Sequence, residues 1–171
     1  MAAAFGRRPA RPPGALAPGE RTAAARALVE RPLRVCGVVP NTGEPGGGPF
    51  WVAQRTGPAT PQIVESSQVD GSQPDQVALW RASTHFNPVD LALALRDAEG
   101  QPYPLERFVD PETAFVARKS EAGRELTVLE RPGLWNGAMA GWNTLFVEVP
   151  GSTFAPVKSV LDLARPDHRA G

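Results

Sequence analysis

The chain has 171 residues, 18 basic and 18 acidic side chains, zero formal net charge and a single cysteine. That balance gives no reason to expect a nucleic-acid or membrane-surface partner, and no stretch approaches the roughly 20 apolar residues of a membrane span. The length suits one globular domain with an extension, and 19 prolines with 17 glycines predict long irregular connections.

The first 34 residues carry seven arginines against two glutamates, Glu20 and Glu30. In a chain of zero net charge, the remainder is negative by the same amount. Residues 1–20 are mostly Ala, Arg, Pro and Gly, with little to bury, and read as a disordered basic tail. An arginine-rich, acid-poor start resembles an organelle transit peptide, but Pro12-Pro13 and the lack of an amphipathic pattern argue against one. Residues 21–30 have high helix propensity and stop at Arg31-Pro32. The domain proper is read as 31–167, followed by a tail at 168–171.

Leu33 to Val39 is an apolar run that predicts a buried strand. Cys36 lies within it and has no possible internal disulfide partner. It reads as a small buried hydrophobe rather than a reactive thiol, and its solitary state suits a reducing compartment, the cytoplasm. A glycine-rich loop, 44–49, leads to strands predicted at Phe50–Gln54 and Gln62–Ser66. Pro74 to Arg81 predicts a short helix with Val77 and Trp80 turned inward. Asn87-Pro88-Val89-Asp90 followed by LALAL predicts a helix, with Asn87 as its cap and proline in its first turn. Strands are expected over Ala114–Lys119 and Glu125–Glu130, joined by a turn at Glu121-Ala122-Gly123, and over Thr144–Val149. A last helix is expected from Pro156 to Ala164. Strands mixed with helices predict an α/β domain built on a mixed sheet.

Five groups of residues are candidates for chemistry. Gly46, Gly47 and Gly48 would expose backbone amides to an anion, but they fit neither GxxxxGK[ST] nor GxGxxG, and a plain connecting loop is the favoured alternative. Glu65 ends an apolar strand, where a carboxylate can accept from neighbouring sugar hydroxyls; taken alone, a solvent-facing glutamate is favoured. Asn87 has an amide suited to a hydroxyl, though a helix cap explains it as well. With His85 and Asp90 it falls short of a metal site, since the other histidine is the distant His168. Lys158 at the start of a helix opposes the helix dipole unless an anion is bound there; the alternative is an exposed lysine pairing with Asp162. Trp135 and Trp142 lie among small residues and suit loop packing better than an aromatic floor for a sugar. No Ser-His-Asp, Cys-His or paired-carboxylate constellation can be assembled.

Together the segments RVCGVVPNTGEPGGGPFWV, QIVESSQVD, STHFNPVD, FVDPETAF, LERPGLWNGAMAGWNTLFVEVP and STFAPVKSVLDL strongly resemble the end of an uncharacterised bacterial family, domain of unknown function 4301. The match runs from about Arg31 to Asp167. More distantly, the order of blocks resembles the C-terminal half of UDP-sugar pyrophosphorylases. In those proteins a Glu-Tyr-Ser-like strand lies beside the sugar; here Glu65 stands at the glutamate, with Ser66 replacing the aromatic residue. His85-Phe86-Asn87 is similar to an Asn-containing segment that meets the sugar. Phe154, Pro156 and Lys158 match a Phe-x-Pro-x-Lys segment whose lysine reaches the phosphates.

The resemblance implies a mixed sheet continuing a Rossmann-like nucleotidyltransferase fold. It implies a nucleotide-sugar or sugar phosphate as ligand, with Lys158 neutralising phosphate while Glu65 and Asn87 orient the sugar. The glycine-rich nucleotide loop and the metal-binding aspartate of those enzymes belong to the N-terminal half, and residues 1–34 resemble neither. Mg²⁺ is therefore implied for a parent protein, with no cofactor or metal ligand expected in this chain. On this reading the chain is a truncated sugar-nucleotidyltransferase-like protein, inactive alone. The alternatives are a non-enzymatic sugar- or partner-binding module, or a half-enzyme completed by a partner.

Overall fold

The computed structural model describes residues 13–41, 43, 46–54, 59–133, 137–154 and 159–168. Among the predicted features, Trp135, Pro156, Lys158, the tail before residue 13 and the residues after His168 lie outside these.

A one-turn 3₁₀ helix at Pro13–Ala15 precedes helix α1, Pro18–Val29, which begins three residues before the predicted start. Proline occupies the first helical position, where its missing N–H costs nothing, and the Glu20 carboxylate accepts from the Ala17 amide at 2.8 Å. No residue of α1 is buried. Its C-terminal turn is held to the domain through Leu28, whose carbonyl accepts from the Asn143 side-chain amide at 3.0 Å.

Strand β1, Leu33–Pro40, is the centre of the main sheet. It pairs antiparallel with β4 (His85–Phe86) and β5 (Leu91–Ala94), and parallel with β8 (Asn143–Glu148). The sheet is thus mixed and the class α/β. A second antiparallel pair joins β2 (Gly48–Val52) to β3 (Thr60–Val64), both shifted two residues toward the N-terminus of their expected positions. Helix α2, Pro74–Arg81, forms as predicted. Val77 and Trp80 are its part-buried residues, and Trp80 stacks on Phe50 of β2 at 5.6 Å. The third pair, β6 (Phe115–Glu121) with β7 (Arg124–Glu130), closes through Ala122 and Gly123. Both turn residues take positive φ, 49° and 77°, as tight hairpins with right-handed strand twist require.

Two predicted helices are corrected. LALAL is not helical: Leu91–Ala94 is strand β5, in register with Cys36 back to Leu33. Leucines two apart share one face of a strand but scatter around a helix, and the chain enters β5 through Val89 at φ 74°, which no helix start allows. The last helix, over its described residues, is of another kind. Val160–Ala164 is a 3₁₀ helix preceded by Ser159 in extended conformation, and the Asp162 carboxylate accepts from the Ser159 amide at 2.7 Å.

Among the described residues the buried hydrophobic side chains are Cys36, Val38 and Val39 of β1 together with Ile63, Phe86, Met139 and Trp142. Burial pushes the Cys36 thiol above its usual range, against a smaller opposing effect of Arg34. Arg34 is itself enclosed, 1% exposed; its Nε–H donates to Thr144 Oγ1 at 2.9 Å and its terminal N–H to Gln62 Oε1 at 2.8 Å. Both partners are neutral, so burial lowers its affinity for the proton.

Candidate ligand site at the C-terminal end of the central strands

Because β1 and β8 run parallel, Pro40 and Glu148 lie toward the same end of the sheet. In open α/β sheets that carboxyl end is where ligands gather. Three of the sequence-predicted segments meet near it.

Asn87 follows β4 directly and is 5% exposed. Its side-chain Nδ2 donates to Gly37 O at 2.6 Å, its Oδ1 accepts from the Val89 amide at 3.2 Å, and its own amide donates to Gly47 O at 2.8 Å. With no helix behind it, Asn87 is not a helix cap. It fastens the turn between β4 and β5 to the middle of β1 and to the glycine loop.

The three glycines are explained by close approach. A Cβ at Gly47 would stand 2.7 Å from Ile63 Cγ2 and 3.4 Å from Glu65 Cγ. At Gly48 it would meet Ser83 Oγ at 2.9 Å and His85 O at 3.1 Å; at Gly46, the Phe86 ring at 3.2 Å. Gly48 belongs to β2, opposite Val64, so only Gly46 and Gly47 lie in the loop. Glu65 stands just past β3, half-buried beside Gly47. Its backbone N–H donates to Gln68 Oε1 at 2.9 Å, and its carboxylate has no partner among the described residues.

Phe154 packs edge-to-face on Phe86, with ring centroids 5.1 Å apart. This brings the start of the Phe154-x-Pro156-x-Lys158 segment to the residue beside Asn87. Lys158 itself lies outside the described residues.

A feature missed in the sequence lies at the same end. His85 Nε2 is 3.2 Å from Glu148 Oε2, and His85 Nδ1 is 2.8 Å from Thr84 Oγ1. Glu148 ends a strand 63 positions away, and nothing local marks the pairing. Among the described residues no three His, Cys, Asp or Glu side chains converge as a metal site would require. Trp142 is a core residue, 5% exposed.

A separate cleft lies elsewhere. About 850 Å³ lies between the β2–β3 pair, α2 and the 107–113 segment, bounded by neither Glu65, Asn87 nor Gly46–Gly48.

These observations define an α/β chain with glycine, carboxylate and amide groups gathered at the carboxyl end of its parallel strands. The chain belongs to the family described as Domain of unknown function (DUF4301), which it matches over residues 13–169. Among solved structures it is similar to a point mutant of UDP-glucose pyrophosphorylase from Leishmania major, with a TM-score of 0.44 and 19% identity. That similarity covers 84% of this chain and 32% of the other, so the chain spans about a third of that enzyme's length. No curated protein matches the chain. No helix among the described residues is long and apolar enough to cross a membrane.

Proposed function

We propose that this chain supplies the sugar and phosphate contacts of a sugar-nucleotidyltransferase-like protein and binds a nucleotide-sugar or sugar phosphate without turning it over alone. The observation that carries this reading is the Phe86–Phe154 contact. It holds Phe154, the first residue of the Phe154-x-Pro156-x-Lys158 motif, against Phe86, the residue before Asn87. The Glu65 carboxylate accepts from sugar hydroxyls, and the Lys158 ammonium meets a phosphoryl group. Asn87 uses its main hydrogen bonds within the fold, so its part is to position Gly37 and Gly47 rather than to grip the sugar. Mg²⁺, which the resemblance implies for the whole protein, would neutralise phosphate charge. The lone buried cysteine suits a cytoplasmic setting.

The test is calorimetric titration of the chain with UDP-glucose and with glucose 1-phosphate. Lys158→Ala is expected to weaken binding about tenfold, the loss of one charge-assisted contact, while leaving Tm unchanged. Equal affinities for wild type and variant remove Lys158 from the site.

A second reading, a partner-binding module, is favoured by the segment after Lys158. Val160 and Leu161 are 83% and 81% exposed, an apolar pair of the kind that other polypeptide covers. Binding of a protein partner that is lost on Val160→Asp, with no affinity for either sugar compound, would favour it.

A further inference from the structure

The cleft of about 850 Å³ is lined by neither Glu65, Asn87 nor Gly46–Gly48 and has its own chemistry. One wall is aromatic. Phe50 and Trp80 stack at 5.6 Å, and Trp51, the next residue of β2, also lines the cleft, with 66% of its surface exposed. An indole left open at a cleft is a surface on which an apolar ring face can lie.

The polar lining is rich in amides whose hydrogen bonds are half used. Gln68 Oε1 accepts from the Glu65 amide at 2.9 Å and Gln76 Oε1 from the Asp70 amide at 3.1 Å, leaving each NH₂ group without a partner among the described residues. Gln54 is the reverse: its NH₂ donates to Val52 O at 3.1 Å and its oxygen is left as an acceptor. The floor is rigid, since Gln62 is held by Arg34 behind it and donates to Thr60 Oγ1 and to Ala140 O, both at 3.1 Å.

Charge narrows the ligand. The charged residues among the described lining are Arg31 and Arg107 against Asp110 and Glu112, two of each sign. A net anion would meet the carboxylates, and a net cation the guanidinium groups. A ligand dense in hydroxyls, each able to donate and to accept, satisfies both kinds of residue as well as the amides. The volume lies toward the upper part of the range for small-molecule pockets, about 300–1,000 Å³, which leaves room for more than one ring.

We propose that this cleft, between the β2–β3 pair, α2 and residues 107–113, binds an uncharged oligosaccharide. A pyranose ring lies on Trp51, and the amides of Gln54, Gln68 and Gln76 hold its hydroxyls. The proposal is independent of the Lys158 reading.

The test titrates the full chain with maltotriose and cellotriose at millimolar concentration, following tryptophan fluorescence and calorimetry, with glucose 1-phosphate as the charged comparison. At least one of the two neutral trisaccharides is expected to bind. Trp51→Ala should weaken it by about tenfold and Gln76→Ala by a smaller factor, with circular dichroism confirming that both variants fold. Lys158→Ala should leave this binding untouched, which separates it from the phosphate site. The proposal is overturned if neither trisaccharide binds, or if Trp51→Ala and Gln76→Ala bind them like wild type.

Discussion

The Asn87 side chain donates to the Gly37 carbonyl across 50 positions of sequence, at 2.6 Å and out of contact with solvent. Through this bond the turn after β4 is fixed to β1, and through its amide the same residue holds Gly47. A side chain that caps no helix thus sets the spacing between the two halves of the candidate site.

Asn87→Ser is therefore expected to destabilise the chain. The shorter hydroxyl cannot reach Gly37 O, and a buried acceptor left unpaired costs about 1–3 kcal/mol. Urea unfolding should show a lower midpoint with an unchanged slope. An unchanged midpoint would mean that the turn is held by the backbone alone.

Gly47→Ala should be costly where Gly71→Ala is nearly neutral. The new methyl would stand 2.7 Å from Ile63 Cγ2, whereas nothing lies within 4 Å of a Cβ at Gly71. Overpacking of that kind costs roughly 1–3 kcal/mol. Thermal melts of the two variants side by side check it, and equal melting temperatures would show that β3 yields.

Phe154→Ala removes the ring that rests on Phe86. The aromatic contact itself is worth about 0.5–1.5 kcal/mol beyond area burial, so a modest fall in Tm is expected. Affinity for glucose 1-phosphate should fall as well, because the segment leading to Lys158 loses its anchor. If affinity holds while Tm drops, the contact has a structural part alone.

Cys36 should be shielded from thiol reagents in the native state and react at the rate of unfolding, which stopped-flow labelling measures. Burial raises the thiol's folded-state pKa above that of a solvent-exposed thiol. The unfolded chain consequently releases this proton first as pH rises. The associated stability is complete below the unfolded pKa and is lost on the alkaline side of it. Wild type should lose stability more steeply above that pH than Cys36→Ala; parallel pH profiles would contradict this.

How much of this was legible from residues alone depends on how far the deciding contact lies along the chain. β1 stands out as an unbroken apolar run ended by Pro40, and the hairpin turn is marked by Gly123 at a position needing positive φ. Helix α2 is announced by Pro74 and its two inward residues. Asn87-Pro88 misleads because an asparagine before proline marks a helix start and a tight turn equally well. Only Gly37, far back in the chain, decides between them. The glycine run is readable as a connection, but its reason is Ile63, Ser83 and Phe86 pressing on the backbone. The His85–Glu148 contact joins a two-residue strand to the end of another and leaves no periodic trace.

Arg34 and Thr144 are bonded across 110 positions, because the central strand finds its parallel neighbour only near the far end of the chain. During synthesis β1 leaves the ribosome long before β8 exists. Until then its apolar face and one hydrogen-bonding edge stay bare. The nascent polypeptide must wait for β8 before the central sheet can settle, and that interval is when chaperones have most to protect.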